Sequence, residues 1–259
     1  MYLPGGPIKY LMHCISSVTR KVDGEFMDEF TNHILRNKTI LPEHQAIESH
    51  RHALCRNHTL IASASFGAGS RSRGEATTIG YMAQTASVNP KYGRLLFWLV
   101  RHYQPAQVIE LGTALGISSL YMAMANKNTR IITIEGNPQL AEMAMHGFNA
   151  HGLTNIMLIH KTFEDALPVV LPTLTGSTLI FIDGNHTREA TVRYYQLLGE
   201  NSGKNQIMVL DDINWSYPMS QAWDAIVRSK QKGLVIDLFR LGIIFEDREN
   251  NGQKYRFIY

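Results

Sequence analysis

Five acidic residues in the second half of the chain lie at or just after the end of a short apolar run: Glu110, Glu135, Asp183, Asp211 and Asp212. Apolar runs of this length are typical of strands buried in a parallel sheet. In an open α/β sheet, ligands bind at the edge formed by the carboxyl ends of the strands. We therefore expect these carboxylates to line a ligand site at that edge.

A glycine loop follows the first of these runs, with Gly112 and Gly116 placed before a helical stretch. Gly112 would let the backbone turn sharply, and Gly116 would let a ligand lie close to the start of the helix. Glu110 can accept a hydrogen bond from an ammonium group but would be poorly placed beside a pyrophosphate. The GxxxG spacing, in place of GxGxxG, also argues against a nicotinamide cofactor. The alternative is a plain strand–turn–helix whose glycines serve only the turn.

Glu135 ends the next apolar run, one strand–helix–strand step after Glu110. This spacing is close to the offset of about 20 residues at which an acid reaches ribose hydroxyls. Pro138 then suits the first turn of the following helix. A charged residue at one strand end is common, but two acids at successive strand ends favour a nucleoside-containing ligand.

Asp183, Asp211 and Asp212 follow two later runs, so their carboxylates should meet at the same edge of the sheet. They would repel one another unless a cation or a proton intervened. Such a group suits a hard divalent cation such as Mg²⁺, which prefers oxygen ligands. Alternatively, Asp183 only contacts a cofactor, and the other two cap the following segment. His186 could act as a base near neutral pH, or it could be a surface histidine.

After residue 105 the chain alternates between short apolar runs and amphipathic stretches, which predicts a parallel sheet covered by helices. The predicted strands are 107–111, 130–135, 155–160, 178–183 and 206–211, and the predicted helices are 118–125, 138–151, 163–171, 188–198 and 219–230. In the tail, 234–238, 242–246 and 254–259 are predicted strands, and the turn at 248–252 has hairpin chemistry. We therefore predict an α/β, Rossmann-like sheet of seven mostly parallel strands with an antiparallel C-terminal pair.

Residues 1–104 lack this alternation and are predicted to form a helical extension to a domain at 105–259. A loop rich in Gly and Ser occupies residues 62–74. Its part at 67–73 could be a mobile lid over a ligand or a plain linker. The helices around it could shape an acceptor pocket or a surface for a homodimer.

The composition limits the class of protein. Of the 259 residues, 44% are hydrophobic and 18% are charged, which is typical of a folded globular protein. The formal net charge of +3 is too small to indicate nucleic-acid binding. The two cysteines lack paired spacing, and neither a signal-peptide pattern nor an apolar run of about 20 residues is present. These features favour a soluble protein of the reducing cytoplasm.

The chain resembles class I S-adenosylmethionine-dependent O-methyltransferases in four segments that occur in order: VIELGTALGISSLYMA, IITIEGNPQLAEMA, LIFIDGNHTREATVRYY and MVLDDINW. The likeness covers about residues 90–259 and is greatest to the small bacterial branch similar to catechol O-methyltransferase. It implies methyl transfer from S-adenosyl-L-methionine to a hydroxyl of a small molecule. The protein would supply in-line positioning, a dry pocket and removal of the acceptor proton.

The resemblance also implies which residues bind the cofactor: Glu110, Gly112, Gly116, Ser118, Glu135, Thr162, Phe163 and Asp183. The first acid and the glycine loop would hold the methionine portion, with the serine near its carboxylate. The second acid would bind the ribose, and the Thr–Phe pair would flank the adenine. For Phe163, a core aromatic at a helix start is an equal alternative.

In catechol O-methyltransferases, three oxygen ligands of a divalent cation come from two strand ends that match Asp183, Asp211 and Asp212. That family usually has Asn at the third position and Lys where this chain has His186, so the match is partial. The resemblance therefore implies Mg²⁺ or another divalent cation at the three aspartates. It also implies that His186 and Asp183 are catalytic.

Two other functions stay open. A nucleic-acid methyltransferase is disfavoured by the modest charge and by the sequence at 182–185, which lacks the Asn/Asp-Pro-Pro-Tyr-like motif of base-methylating enzymes. A non-catalytic module that keeps the cofactor fold without turnover is compatible with every motif above, because a fold does not by itself imply a function.

Overall fold

The computed structural model describes residues 6–18, 24–61, 77–201, 205–230, 232–248 and 254–259. The helices are α1 (Gly6–Val18), α2 (Glu25–Phe30), α3 (Pro42–Cys55), α4 (Ile79–Thr85), α5 (Pro90–Tyr103), α6 (Ile117–Ala125), α7 (Pro138–Ala150), α8 (Phe163–Val170), α9 (Arg188–Asn201) and α10 (Tyr217–Ser229). The strands are β1 (Leu60–Ile61), β2 (Thr77–Thr78), β3 (Gln107–Leu111), β4 (Arg130–Glu135), β5 (Ile156–His160), β6 (Thr178–Ile182), β7 (Gln206–Leu210), β8 (Leu234–Asp237), β9 (Gly242–Phe245) and β10 (Lys254–Arg256). The segment 67–73, predicted as a lid, lies outside the described residues.

Eight of the strands form one sheet in the order β10-β8-β9-β7-β6-β3-β4-β5. Neighbouring strands run parallel except at β9, which is antiparallel to both β7 and β8. Every residue of β3, β6 and β7 is buried, as expected for strands covered by helices on both faces. The predicted α/β, Rossmann-like fold is therefore confirmed, and the bounds of β3 to β7 differ from the predicted ones by at most one residue.

The C-terminal strands pair differently from the predicted hairpin. β9 lies between β7 and β8, whereas β10 pairs in parallel with the outer side of β8. All four residues of β9 are buried, so this strand is most stable with a neighbour on each side. β10 is short and largely exposed, as edge strands usually are. The sheet thus has the predicted antiparallel strand but eight strands rather than seven, and most of the turn at 248–252 falls outside the described ranges.

The order of the strands reverses at β3, which lies between β4 and β6. Ligands of open α/β sheets bind at such a switch point, outside the carboxyl ends of the strands. The register aligns Leu111 of β3 with Ile182 of β6, and Ile182 with Leu210 of β7. The residues that directly follow these three strands therefore leave the sheet side by side.

Apolar side chains cover both faces of the sheet. On one face, Ile109 and Ile180 belong to a buried cluster with residues of α8, α9 and α10. On the other face, the cluster joins α6 and α7 to the N-terminal helices α2, α3 and α5, which contribute Phe30, Ile47 and Leu96. The helices of residues 24–103 thus share a hydrophobic core with the sheet, and the division of the chain at residue 105 stays a prediction. None of the helices in the described ranges is both long and apolar enough to cross a membrane.

Candidate active site

The loop after β3 fits tightly against the end of β6. A Cβ atom at Gly112 would lie 2.0 Å from the main-chain oxygen of Asp183, and the φ of +101° there also favours glycine. At Gly116, where φ is +77°, a Cβ atom would lie 2.7 Å from the ring of Phe148. Both glycines are therefore required by the packing of the loop, in addition to any role beside a ligand.

Glu110 of β3 is completely buried. Its Oε2 accepts hydrogen bonds from the hydroxyls of Ser119 and Thr133, the second at 2.7 Å. No described residue makes a well-formed hydrogen bond to the other oxygen, Oε1. Burial raises the pKa of Glu110 to about 7, and hydrogen bonds from the neighbouring hydroxyls oppose this rise. A buried carboxylate oxygen without a partner is costly, and it indicates a ligand group that donates to it.

Three hydroxyl residues surround this carboxylate, of which sequence reasoning named only Ser118. Ser118 is buried at the start of α6 and also interacts with Glu110. Ser119 follows it in α6, and Thr133 pairs in register with Glu110 on the neighbouring strand β4. The sequence did offer one sign that Thr133 has a role in the site, because it is a polar residue inside an otherwise apolar strand.

Glu135, at the end of β4, is held against the glycine loop. Its Oε2 accepts a hydrogen bond from the N–H of Ala114 at 2.8 Å, and its Oε1 accepts one from the N–H of Asn137 at 2.8 Å. Burial raises the pKa of Glu135, and the surrounding backbone N–H groups oppose this rise. A carboxylate offers about four acceptor positions. The backbone N–H groups therefore set the position of the Glu135 carboxylate, and its remaining lone pairs can accept hydrogen bonds from the hydroxyls of a ligand.

Thr162 and Phe163 lie at the start of α8. The hydroxyl of Thr162 accepts a hydrogen bond from the N–H of Asp165 at 3.2 Å and donates one to its side chain at 2.7 Å, so it caps the helix. The ring of Phe163 packs against Gly184, where a Cβ atom would lie 2.7 Å away, and meets the ring of Tyr194 edge-on at 5.5 Å. The structure thus places Phe163 at the end of β6, whereas Thr162 is engaged as a helix cap.

The structure brings Asp183, Asp211 and Asp212 together at the ends of β6 and β7, with an arginine among them. Arg240 donates hydrogen bonds from Nε and Nη2 to the two carboxylate oxygens of Asp211, each at 2.9 Å. Its Nε also lies 3.6 Å from Oδ1 of Asp212. The side chain of Asp211 is 1% exposed, so this ion pair is largely removed from water. Arg240 therefore balances part of the negative charge of the cluster.

The other two aspartates hold protons more strongly than exposed carboxyl groups do. Burial raises the pKa of Asp183 well above its usual range, and the charges of Asp211 and Asp212 raise it further. Burial and the charge of Asp211 raise the pKa of Asp212 to about 7, against the opposing effect of Arg240. Protons held by these two carboxyl groups and the guanidinium of Arg240 both relieve the repulsion within the cluster.

His186 lies between the acidic cluster and an aromatic ring. Its Nε2 is 3.6 Å from Oδ1 of Asp183, and its ring centroid is 5.8 Å from that of Trp215. Burial lowers the pKa of His186, and the charge of Asp211 opposes this effect. The imidazole is therefore neutral near neutral pH, and a neutral imidazole can accept a proton.

The donor groups of the cluster, as arranged, do not fit a divalent cation. Both oxygens of Asp211 are bonded to Arg240. The amide of Asn214 donates to the main-chain oxygen of Phe239 at 2.7 Å and accepts from the hydroxyl of Ser220 at 3.3 Å. Across the part of the chain that the structure describes, no group of three or more His, Cys, Asp or Glu side chains is placed to hold a metal ion. The metal site at the three aspartates stays a prediction, and the arrangement of these side chains disfavours it.

Sequence reasoning missed Arg240, which lies in the turn between β8 and β9 and outside every motif described above. β8 and β7 are both antiparallel to β9, so they run parallel to each other and end at the same edge of the sheet. The sequence signal that could have indicated Arg240 is a basic residue just after the end of a further predicted strand, β8. It identifies the partner of Asp211 only once the order of the strands is known.

A family model described as a methyltransferase domain matches residues 109–213. The chain is similar to a catechol O-methyltransferase of Niastella koreensis, with 32% identity over 49% of this chain and 58% of that protein. It is also similar to a catechol O-methyltransferase of Mycobacterium tuberculosis, with 29% identity over 49% of this chain and 57% of that protein. The chain thus spans less than two thirds of the length of these relatives.

Solved structures share the fold over most of the chain. The SAH-bound methyltransferase PaMTH1 of Podospora anserina has a TM-score of 0.60 at 16% identity, covering 88% of this chain and 98% of its own. The O-methyltransferase TomG of Streptomyces achromogenes, solved in complex with SAM, has a TM-score of 0.57 at 17% identity, covering 85% of this chain and 94% of its own. At these identities the likeness establishes the fold.

Proposed function

We propose that the protein is an S-adenosylmethionine-dependent O-methyltransferase acting on a small molecule, because residues 109–213 match a family model described as a methyltransferase domain and the chain is similar to catechol O-methyltransferases. One observation carries this proposal: two buried acids flank the glycine loop, and each is suited to a different part of the cofactor. Oε1 of Glu110 receives no well-formed hydrogen bond from a described residue, and Glu135 is fixed to the loop by the N–H of Ala114. The similarity to SAM-bound and SAH-bound structures supports the same cofactor.

The residues around the glycine loop would bind the cofactor in sections. Oε1 of Glu110 would accept a hydrogen bond from the ammonium group, with Ser118 nearby for the carboxylate. Glu135 would accept hydrogen bonds from the ribose hydroxyls. Phe163, packed on Gly184, would lie against the adenine, and Thr162 would contribute through the start of its helix. When bound, S-adenosylmethionine supplies the methyl group as an electrophile.

His186 is suited to take the proton of the acceptor hydroxyl, because burial keeps its imidazole neutral near neutral pH. Asp183, 3.6 Å away, would stabilise the imidazolium that forms when its own carboxyl group is ionised. As its proton passed to His186, the acceptor oxygen would bond to the methyl carbon, and the sulfur of the donor would keep the electron pair of the broken carbon–sulfur bond. Trp215 offers a partly exposed apolar surface for the acceptor beside this base.

Two expectations about the whole protein belong to this proposal. The thiols of Cys14 and Cys55 are free, which suits a reducing cytoplasm. Apolar side chains of α1 are exposed, among them Ile8, Leu11 and Ile15, and they suit contact with a second copy of the chain. Size-exclusion chromatography with light scattering measures the oligomeric state.

Isothermal titration calorimetry tests the cofactor directly. We expect S-adenosylhomocysteine to bind with a dissociation constant on the order of micromolar, and NAD not to bind. The variant Glu135→Ala should lose roughly 1–3 kcal/mol of binding free energy, because it leaves polar partners unpaired. Glu142→Ala, at an exposed position on α7, should bind as the wild type does. Tight binding of NAD and none of S-adenosylhomocysteine would contradict the proposal.

Transfer of a labelled methyl group separates the proposed activity from its rivals. Label in pooled hydroxyl compounds but not in RNA is expected for an enzyme that modifies small molecules. Label in RNA would favour a nucleic-acid methyltransferase, although the formal net charge is only +3. Cofactor binding without any transfer would favour a non-catalytic module.

A further inference from the structure

The loops after β7 and β8 are joined by hydrogen bonds that hold Arg240 in place. The N–H of Ile213, in the first loop, donates to the main-chain oxygen of Arg240 at 3.0 Å. The amide of Asn214, in the same loop, donates to the main-chain oxygen of Phe239 at 2.7 Å. Within the second loop, the N–H of Leu238 donates to the oxygen of Leu241 at 2.9 Å. The main chain at Arg240 is therefore fixed beside the loop that carries Asp211.

This ion pair occupies the groups that a divalent cation would need. Both carboxylate oxygens of Asp211 accept hydrogen bonds from the guanidinium, and its side chain is 1% exposed. Mg²⁺ gives up its water reluctantly and usually keeps several water ligands in proteins. A metal ion at Asp211 would have to break both hydrogen bonds, shed water in a buried place and lie beside a positive charge. Asp212 is also within the field of the same guanidinium, at 3.6 Å from Nε.

We propose that the guanidinium of Arg240 supplies the positive charge that the likeness to catechol O-methyltransferases assigns to a divalent cation, and that methyl transfer here needs no metal. This inference rests on the proposed function, because it concerns the same site. An arginine is charged at every physiological pH. The charge at the ends of β6 and β7 is therefore a permanent part of the chain.

Arg240 also retains donor capacity for an acceptor. A guanidinium has five N–H groups. Only Nε and Nη2 donate to Asp211, Nη1 has no acceptor among the residues that the structure describes, and the side chain is 32% exposed. The guanidinium carbon also lies over the ring of Tyr92, 5.5 Å from the centroid of that ring. Nη1 can thus donate to the acceptor oxygen and stabilise its negative charge as the proton passes to His186.

Binding of Mn²⁺, followed by electron paramagnetic resonance, tests the inference without an acceptor. The wild type should bind Mn²⁺ no more tightly than a dissociation constant of about 1 mM, because the guanidinium holds the oxygens of Asp211. Arg240→Met keeps the apolar stem and removes the charge, so it should bind Mn²⁺ at least about tenfold more tightly. Arg228→Gln, which disrupts an exposed ion pair on α10, should match the wild type.

Two results would overturn the inference. One is wild-type binding of Mn²⁺ at a micromolar dissociation constant, and the other is equal binding by the wild type and a folded Arg240→Met. If Arg240→Met does not unfold cooperatively on heating, the wild-type measurement alone decides. Methyl transfer to the acceptor found by labelling should proceed at the same rate in EDTA. Loss of this activity in EDTA would also contradict the proposal that Arg240 takes the place of a metal ion. Binding of S-adenosylhomocysteine in EDTA reports separately on the proposed function.

Discussion

At the scale of the residue, the charge state of Glu110 is set by its surroundings. The carboxyl group is completely buried, and its pKa is raised from 4.5 to about 7 by that burial. In the unfolded chain the group returns to water and to its ordinary pKa. The folded protein therefore binds the proton more strongly, and its free energy of unfolding falls as the pH rises from about 4.5 to about 7.

Glu110→Gln tests this assignment, because an amide fills the same space without ionising. The variant avoids the cost of a buried charge, which corresponds to about 3 kcal/mol at most. Its gain in stability over the wild type should therefore be small at pH 5 and nearly complete at pH 8, with most of the increase below pH 7. Urea denaturation at both pH values measures the difference. The exposed Glu142→Gln should show no such change, and equal stabilities of Glu110→Gln and the wild type at both pH values would refute the buried charge.

At the scale of the element, the site depends on how closely the loops after β3 and β6 approach. The main chain of Asp183 fills the space where a side chain at Gly112 would lie, and the N–H of Ala114 in the same loop holds Glu135. One loop therefore positions residues from three strands, β3, β4 and β6. A small displacement of this loop should affect both acids that we assign to the cofactor.

Gly112→Ala should destabilise the protein strongly, because its Cβ atom would lie 2.0 Å from main-chain oxygen that cannot easily move. We expect a loss on the order of 3 kcal/mol or more and a loss of cofactor binding. Gly152→Ala is the matched control: its φ is also positive, at +62°, but nothing lies within 4 Å of the added atom. It should cost only about 1 kcal/mol of backbone strain. Similar losses in the two variants, measured by urea denaturation, would show that strain rather than contact with β6 is responsible.

At the scale of the whole molecule, the N-terminal helices complete the fold. Side chains of α2, α3 and α5, such as Phe30, Ile47 and Leu96, are fully buried in one cluster with the sheet residues Val108 and Leu179. Without these helices, part of one apolar face of the sheet and apolar residues of α6 would be open to water. The sheet therefore depends on α2, α3 and α5 for burial, although the methyltransferase family model covers only residues 109–213.

A fragment of residues 105–259 should not unfold cooperatively as a monomer, because it exposes a large apolar face. A deletion of residues 1–23 is the matched control. It removes α1, whose Ile8, Leu11 and Met12 are exposed and whose buried anchor is His13, hydrogen-bonded to the main-chain oxygen of Phe257 at 2.9 Å. This control should stay folded with a modest loss of stability. Thermal unfolding and size-exclusion chromatography measure both, and a stable monomeric 105–259 would contradict the prediction.

The sequence by itself determined the five strands β3 to β7 and the glycine loop between the first of them and α6. These features are local, because a short apolar run between turn residues has one favourable way to bury its side chains. It also placed Glu110 and Glu135 at strand ends, where the parallel order of the sheet brings them to one edge. The family likeness could then be seen in the same segments.

Only the tertiary structure decided what lies beside Asp211. Arg240 is 29 residues away in the chain, and no local pattern connects the two. Their contact depends on the insertion of β9 between β7 and β8, which brings the carboxyl end of β8 to the edge where β7 ends. That order is favoured because all four residues of β9 are buried when it has a neighbour on each side. The guanidinium thus lies where the sequence predicted a metal ion because the strand order that buries β9 brings it there, and no local motif encodes that order.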